Sequence, residues 1–146
     1  MRRSAHMTGM QGVYLVAAEL TKRGLVVSPT SRSAYGADLL VTDQKCQSAW
    51  SVQVKTNFGR STFWLLNRHS SKTRSSTHVY VLVNLGQRNN HQMLQGGPDF
   101  YVVPSETVAR RMRRTPPKKR KHAIFYSILR DKVTAYKNNW EYFALK

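Results

Sequence analysis

The chain has 146 residues, 40% hydrophobic and 21% charged, which is enough apolar material for one core and excludes a disordered polymer. Its 24 Lys and Arg against 7 Asp and Glu give a net charge of +17, a field that attracts polyanions. A lone Cys46 excludes an internal disulfide, no Cys/His zinc spacing exists, and no apolar run approaches the ~18 residues of a membrane-spanning helix.

Residues 1–7 lack the apolar stretch of a signal peptide and are set apart as a leader, leaving residues 8–146 as one domain. From Thr8 or Gly9 to about Arg23, the residues Val13, Val16, Ala17 and Leu20 recur at helical spacing. They predict a helix that Gly24 ends in the left-handed conformation. Leu25–Val27 reads as a first strand, and residues 28–36, with Pro29 and Gly36, as a loop. Leu39–Thr42 is a second strand and Asp43–Ser48 a polar turn. Trp50–Thr56 is a third strand, with Trp50, Val52 and Val54 on one face and Ser51, Gln53 and Lys55 on the other. Together these predict an antiparallel hairpin.

Thr62–Leu66 reads as a fourth strand and residues 67–76 as a mobile loop. His78–Leu85, rich in β-branched residues, reads as a central strand. Residues 86–98 form a loop and Asp99–Val103 a further strand. Ser105 is expected to cap a helix running through Met112, broken by Thr115–Lys121. Ala123–Leu129 is a strand or short helix, and Val133, Tyr136, Trp140 and Phe143 predict a final helix over residues 131–143. Phe58, Phe63 and Trp64 are expected in the core, with Tyr136, Trp140 and Phe143. The histidines His6, His78, His91 and His122 show no pairing pattern. The order predicts a mixed α/β (α+β) domain around a small central sheet.

The chemistry-bearing residues gather on the hairpin. Asp38 supplies a carboxylate, Gln53 an amide oxygen and Val54 a backbone carbonyl, all oxygen donors of the kind a hard divalent cation takes. Lys55 lies about 7 Å from Gln53 along the same strand face and places a cation where negative charge develops on a phosphate. Glu19, among Ala17, Ala18 and Leu20 of the first helix, is a further acid that either reaches this site or pairs with Lys22 or Arg23 at the surface. The bland alternatives are a turn-capping role for Asp38 and a solvated sheet face for Gln53 and Lys55. An acid followed by a strand bearing Gln-x-Lys, in so basic a chain, points to metal-dependent cutting of nucleic acid.

These segments resemble the PD-(D/E)XK nucleases, a family that includes restriction endonucleases and archaeal Holliday-junction resolvases. The likeness rests on residues 12–20, Gly24–Val27, Tyr35–Val41, Val52–Thr56 and Tyr136–Glu141. It implies a restriction-endonuclease-like fold, with a mixed sheet of four or five strands flanked by helices. It also implies that Asp38 is the central metal ligand, that Lys55 is the catalytic lysine, and that Glu19 matches the helix acid of resolvase-like members. Gln53 stands where the family commonly has Glu or Asp, which lowers the charge offered to Mg²⁺ or Mn²⁺. Ala37 stands where the motif's name has Pro.

Phosphate contacts are expected from Arg110, Arg111, Arg113, Arg114, Lys118, Lys119, Arg120 and Lys121. Dense like charges repel unless an anion neutralises them. Arg60, Arg68, His69, Lys72 and Arg74, after the third strand, are expected to flank the scissile phosphate, the alternative being an exposed flexible loop, and Arg32 is expected to contact DNA. Pro117–Lys121 also has the composition of a nuclear-import address. The expectation is an intracellular enzyme of the cytoplasm or nucleoid, a Mg²⁺- or Mn²⁺-dependent endodeoxyribonuclease acting on DNA, without a membrane partner. Homodimerisation would supply two sites for cutting two strands. The alternatives are a catalytically degenerate DNA-binding module on the same fold and an RNA-associated protein. The second is disfavoured because most aromatics alternate into core positions.

Overall fold

The computed structural model describes residues 4–31, 35–89, 92–93, 97–119 and 123–144, with backbone only at 88, 89, 92 and 93. Helix α1 (Ala5–Lys22) starts earlier than the sequence suggests, because the Ser4 side chain accepts the Met7 N–H and caps it. Gly24, at φ 82°, follows its end in the left-handed region. The strands β1 (Val26–Pro29), β2 (Leu39–Thr42), β3 (Ala49–Asn57), β4 (Phe63–Leu66) and β5 (His78–Asn84) come next. After them run β6 (Arg88–Asn89), β7 (Gln92–Met93), β8 (Asp99–Pro104), helix α2 (Ser105–Arg111), β9 (Arg113–Thr115) and β10 (Phe125–Leu129).

The main sheet has the order β1-β2-β3-β5-β8. Its pairs are antiparallel except β3 with β5, which run parallel in the register Gln53 opposite Tyr80 and Lys55 opposite Leu82. A parallel step needs a crossover, and the segment containing β4 supplies it. β4 leaves the main sheet and joins β10 and β9 in a separate antiparallel sheet, order β4-β10-β9.

Period-two alternation then builds a core on each side of the main sheet. On one face Val52, Val54, Val79, Val81, Val83 and Val102 pack against Val16 and Leu20 of α1, with Trp140 and Phe143. On the other face Tyr80, Leu82, Tyr101 and Val103 pack against Trp64 and Ile128 of the second sheet and Val108 of α2. Each fully buried side chain of this kind contributes about 1.5–3 kcal/mol. β5 is buried along its whole length because both cores claim it, which fits its strand-like, β-branched composition.

Several expectations are corrected. The final helix over 131–143 is replaced by three short 3₁₀ turns, at Arg130–Lys132, Thr134–Tyr136 and Trp140–Phe143. Lys137 bridges Tyr101 of β8, and Asn138, at φ 52°, donates its N–H to Phe100, so this stretch of chain pairs with a strand instead of continuing a helix. Its apolar residues also serve different cores, Val133 and Tyr136 one, Trp140 and Phe143 the other. Ser105 does not cap α2. Its Oγ accepts the Ser75 N–H at 3.0 Å and donates to the Ser75 carbonyl at 2.9 Å, which ties down the segment before β5. Thr115, read as the start of a breaker, pairs in β9 together with Arg113 and Arg114 of the basic cluster. Residues 67–76 hold a 3₁₀ turn at Arg68–Ser71, capped by the Asn67 side chain. Phe58 is 56% exposed and is not a core residue, whereas Trp64 is buried.

Candidate active site

β2 starts at Leu39, so the last residues of β3 run past its end and the Val54 N–H finds no partner on that strand. The Asp38 carboxylate fills the gap, its Oδ2 accepting the Val54 N–H at 2.7 Å. The backbone of Asp38 is tied on both sides as well. Its N–H donates to Val52 O at 2.8 Å, and its C=O accepts the Thr30 N–H at 2.9 Å. Thr30 Oγ1 also donates to Ala37 O at 2.6 Å. One carboxylate oxygen thus does structural work across the hairpin and not within its own turn.

In a strand the N–H and C=O of a residue face the same side, so the Val54 carbonyl faces the edge where Asp38 sits. Val52 and Val54 belong to the α1-side core, which puts Gln53 and Lys55 on the opposite face, both half-buried. Lys55 lines a cleft of about 360 Å³ with Asn57, Ser61, Phe63, Trp64 and Leu65. Burial there pushes its ammonium below the ordinary lysine value, and the negative charge of Asp38 pulls it back up. That electrostatic coupling places the two groups in one field. No ion pair within 4.0 Å joins them among the described residues.

Glu19 has its own partner. Its carboxylate pairs with Arg23, whose guanidinium also donates to the Glu19 carbonyl at 2.8 Å and lies over the Trp140 ring at 4.5 Å. The part of α1 that meets β3 near the site is Gly12, where an added Cβ would lie 1.8 Å from Thr56 Oγ1. Glu19 is two helical turns, about 10 Å, further along. The pairing with Arg23 is the surface alternative the sequence offered for Glu19.

The sequence reading assigned nothing to His78. Ser51 Oγ lies 2.7 Å from its Nδ1, on the Gln53 face, and burial, with the positive charge of His69, holds the imidazole below its ordinary value. His69 stacks edge-on against Tyr35 at 4.9 Å between ring centroids, which brings the Arg68–Ser71 turn to the loop preceding Asp38. The parallel register of β3 with β5 creates the Ser51–His78 pair, and no local signal encodes it.

Of the expected phosphate contacts, Arg60, Arg68, Lys72, Arg74, Arg110, Arg111, Arg113, Arg114, Lys118 and Lys119 are exposed. Arg111 is partly committed, donating to Lys132 O at 2.8 Å and lying over the Tyr136 ring. Arg32, Arg120 and Lys121 lie outside the described residues, as do His91 and His122. A larger cavity, about 570 Å³, lies at the far end of the sheet among Arg23, Asp43 and Trp140 and holds none of the site residues. Among the described residues no three His, Cys, Asp or Glu side chains gather to hold a metal, and no helix is long and apolar enough to cross a membrane.

Two solved structures share this arrangement of elements. A bacterial homing endonuclease aligns over 96% of this chain and 91% of its own, at 13% identity and a TM-score of 0.56. The Holliday junction resolvase Hjc of Archaeoglobus fulgidus aligns over 87% of this chain and 93% of its own, at 10% identity and a TM-score of 0.51. This is the restriction-endonuclease-like fold. No protein-family profile and no curated protein sequence matches the chain. At these identities the likeness establishes architecture, and chemistry has to be argued from the residues.

Proposed function

We propose that the chain is a divalent-metal-dependent endodeoxyribonuclease of the PD-(D/E)XK kind with Gln at the second motif position. The observation that carries this reading is the Asp38 carboxylate held against Val54, with Lys55 next along the strand and within its field. Oxygens of Asp38, Gln53 and Val54 would hold Mg²⁺ or Mn²⁺, a donor set that is hard and suits either ion. Bound there, the ion would polarise a phosphodiester and ease formation of hydroxide from water. The set carries a single negative charge, so a nucleic-acid phosphate is needed to complete it. Lys55 offsets the charge that builds on the phosphate, and its burial strengthens that interaction. Hydrolysis adds water across the P–O bond and leaves a 5′-phosphate. That both structural neighbours are described as DNA nucleases supports DNA as the partner, as does the charge of +17. Pairing of two copies would serve cleavage of both strands.

A second reading is a silent DNA-binding module. The neutral Gln53 and the pairing of Glu19 with Arg23 favour it. Plasmid and branched-DNA cleavage with Mg²⁺ or Mn²⁺ separates the two. Asp38→Asn keeps an acceptor for the Val54 N–H and should preserve the fold and DNA binding. It should lower cleavage by about 10³-fold or more. A wild-type protein that binds DNA yet cuts no form of it with either metal is the silent module.

A further inference from the structure

The second sheet turns an unusual surface outward beside the site. Phe63 and Leu65 both line the Lys55 cleft, and Leu65 is 55% exposed. Phe125 of β10, 39% exposed, meets Phe63 edge-on with ring centroids 5.8 Å apart. The register of β10 with β9 sets Arg113 opposite Ser127 and Arg114 opposite Tyr126, and Arg113 Nε lies 3.2 Å from Ser127 Oγ. Strands β4, β9 and β10 contain two arginines and no carboxylate. An exposed apolar patch of this kind marks an interaction surface.

We propose that this aromatic face is a stacking platform for unpaired bases, so that the nucleic acid recognised at the Lys55 cleft is DNA with a single-stranded stretch next to the backbone held there. The inference rests on the nuclease reading for the identity of the neighbouring site and extends it to a substrate class. Every base has a π-face, so rings flanked by an arginine, here Arg113, hold single strands without reading sequence, the arrangement single-strand binders use. Paired bases in a continuous duplex keep their faces covered by their neighbours and gain nothing from Phe125. A second copy of this chain is the competing occupant. A twofold contact through the face would bring the Arg113 side chains of both copies toward one another with no acid on these strands to compensate, whereas a nucleic-acid backbone neutralises them.

Anisotropy binding in EDTA tests this without requiring catalysis, using oligo-dT of about 16 nucleotides and a duplex of equal length at one fixed salt concentration. Phe125→Ala should weaken oligo-dT binding about tenfold and leave duplex binding within about twofold, while Phe125→Trp should retain oligo-dT binding. Phe125→Leu, which keeps an apolar side chain outside the Lys55 cleft but removes the ring, should reproduce the selective loss. Equal losses on both probes, or none on either, overturn the proposal. So does a set of variants that turn a sedimenting dimer into monomer while the ratio of oligo-dT to duplex affinity stays fixed, because the face then belongs to a second copy. Selective oligo-dT binding in a protein that cuts nothing would instead leave this inference standing and remove the nuclease reading.

Discussion

Strand β3 presents two unlike faces, and each does what the other cannot. Val52 and Val54 lie in a dry layer against α1, packed so closely that Gly12 tolerates no side chain over Thr56. On the reverse face, with Gln53 between them, Ser51 meets His78 and Lys55 lines a cleft of about 360 Å³. The packed face fixes where the strand sits. The polar face accepts a partly desolvated ammonium, an arrangement that stability alone does not favour. Position is thus set on one side of the strand and chemistry on the other, separated by one residue of alternation.

The largest test of that division is Lys55→Met, which keeps the stem and removes the charge. Cleavage should fall by about 10²-fold or more, since a charge aimed at the transition state is lost. Folding should gain, because burial disfavours the charged ammonium and lowers its pKa, a penalty carried while the group is protonated and relieved only as pH rises through the folded value. A melting temperature above wild type together with lost cleavage sharpens the contrast, and a lower one breaks it. On the packed face, Gly12→Ala should destabilise by about 1–3 kcal/mol in urea unfolding, because the new methyl falls on Thr56.

Smaller effects are expected at His78 and Glu19. Burial lowers the His78 pKa, so below about 6.5 the unfolded chain takes up a proton that the folded protein resists, and stability falls as pH drops through that value. His78→Gln should flatten this part of a pH series of melting temperatures. Glu19→Ala should cost no more than about 1 kcal/mol, the worth of a partly exposed ion pair, and leave cleavage unchanged. Loss of cleavage in that variant would return Glu19 to the site.

The β2–β3 hairpin was legible because its signals are local. Trp50, Val52 and Val54 alternate with Ser51, Gln53 and Lys55, and the turn between the strands is polar. Asp43 at its far end shows what local chemistry can also settle. The backbone N–H groups of Ser48, Gln47 and Lys45 converge on its carboxylate and hold its pKa below the usual value, a purely structural use of an acid five positions from Asp38. The second sheet was not legible. Arg113–Thr115 reads as basic linker until Phe125–Ser127 arrives to pair with it, and Phe63–Leu66 pairs with residues far downstream. For Glu19 the sequence left two places open, because helical spacing gives the face of a helix but not the height at which it meets the sheet, and here Gly12 marks that height.

The most direct measurement is anomalous diffraction from crystals of the protein with bound DNA and Mn²⁺. Asp38, Gln53 and Val54 should share one Mn²⁺ peak at about 2.1 Å from the Asp38 carboxylate, with the Lys55 ammonium facing the same phosphate. A peak at Asp43 or Glu19, or DNA bound with no ion at the edge of β3, would contradict it.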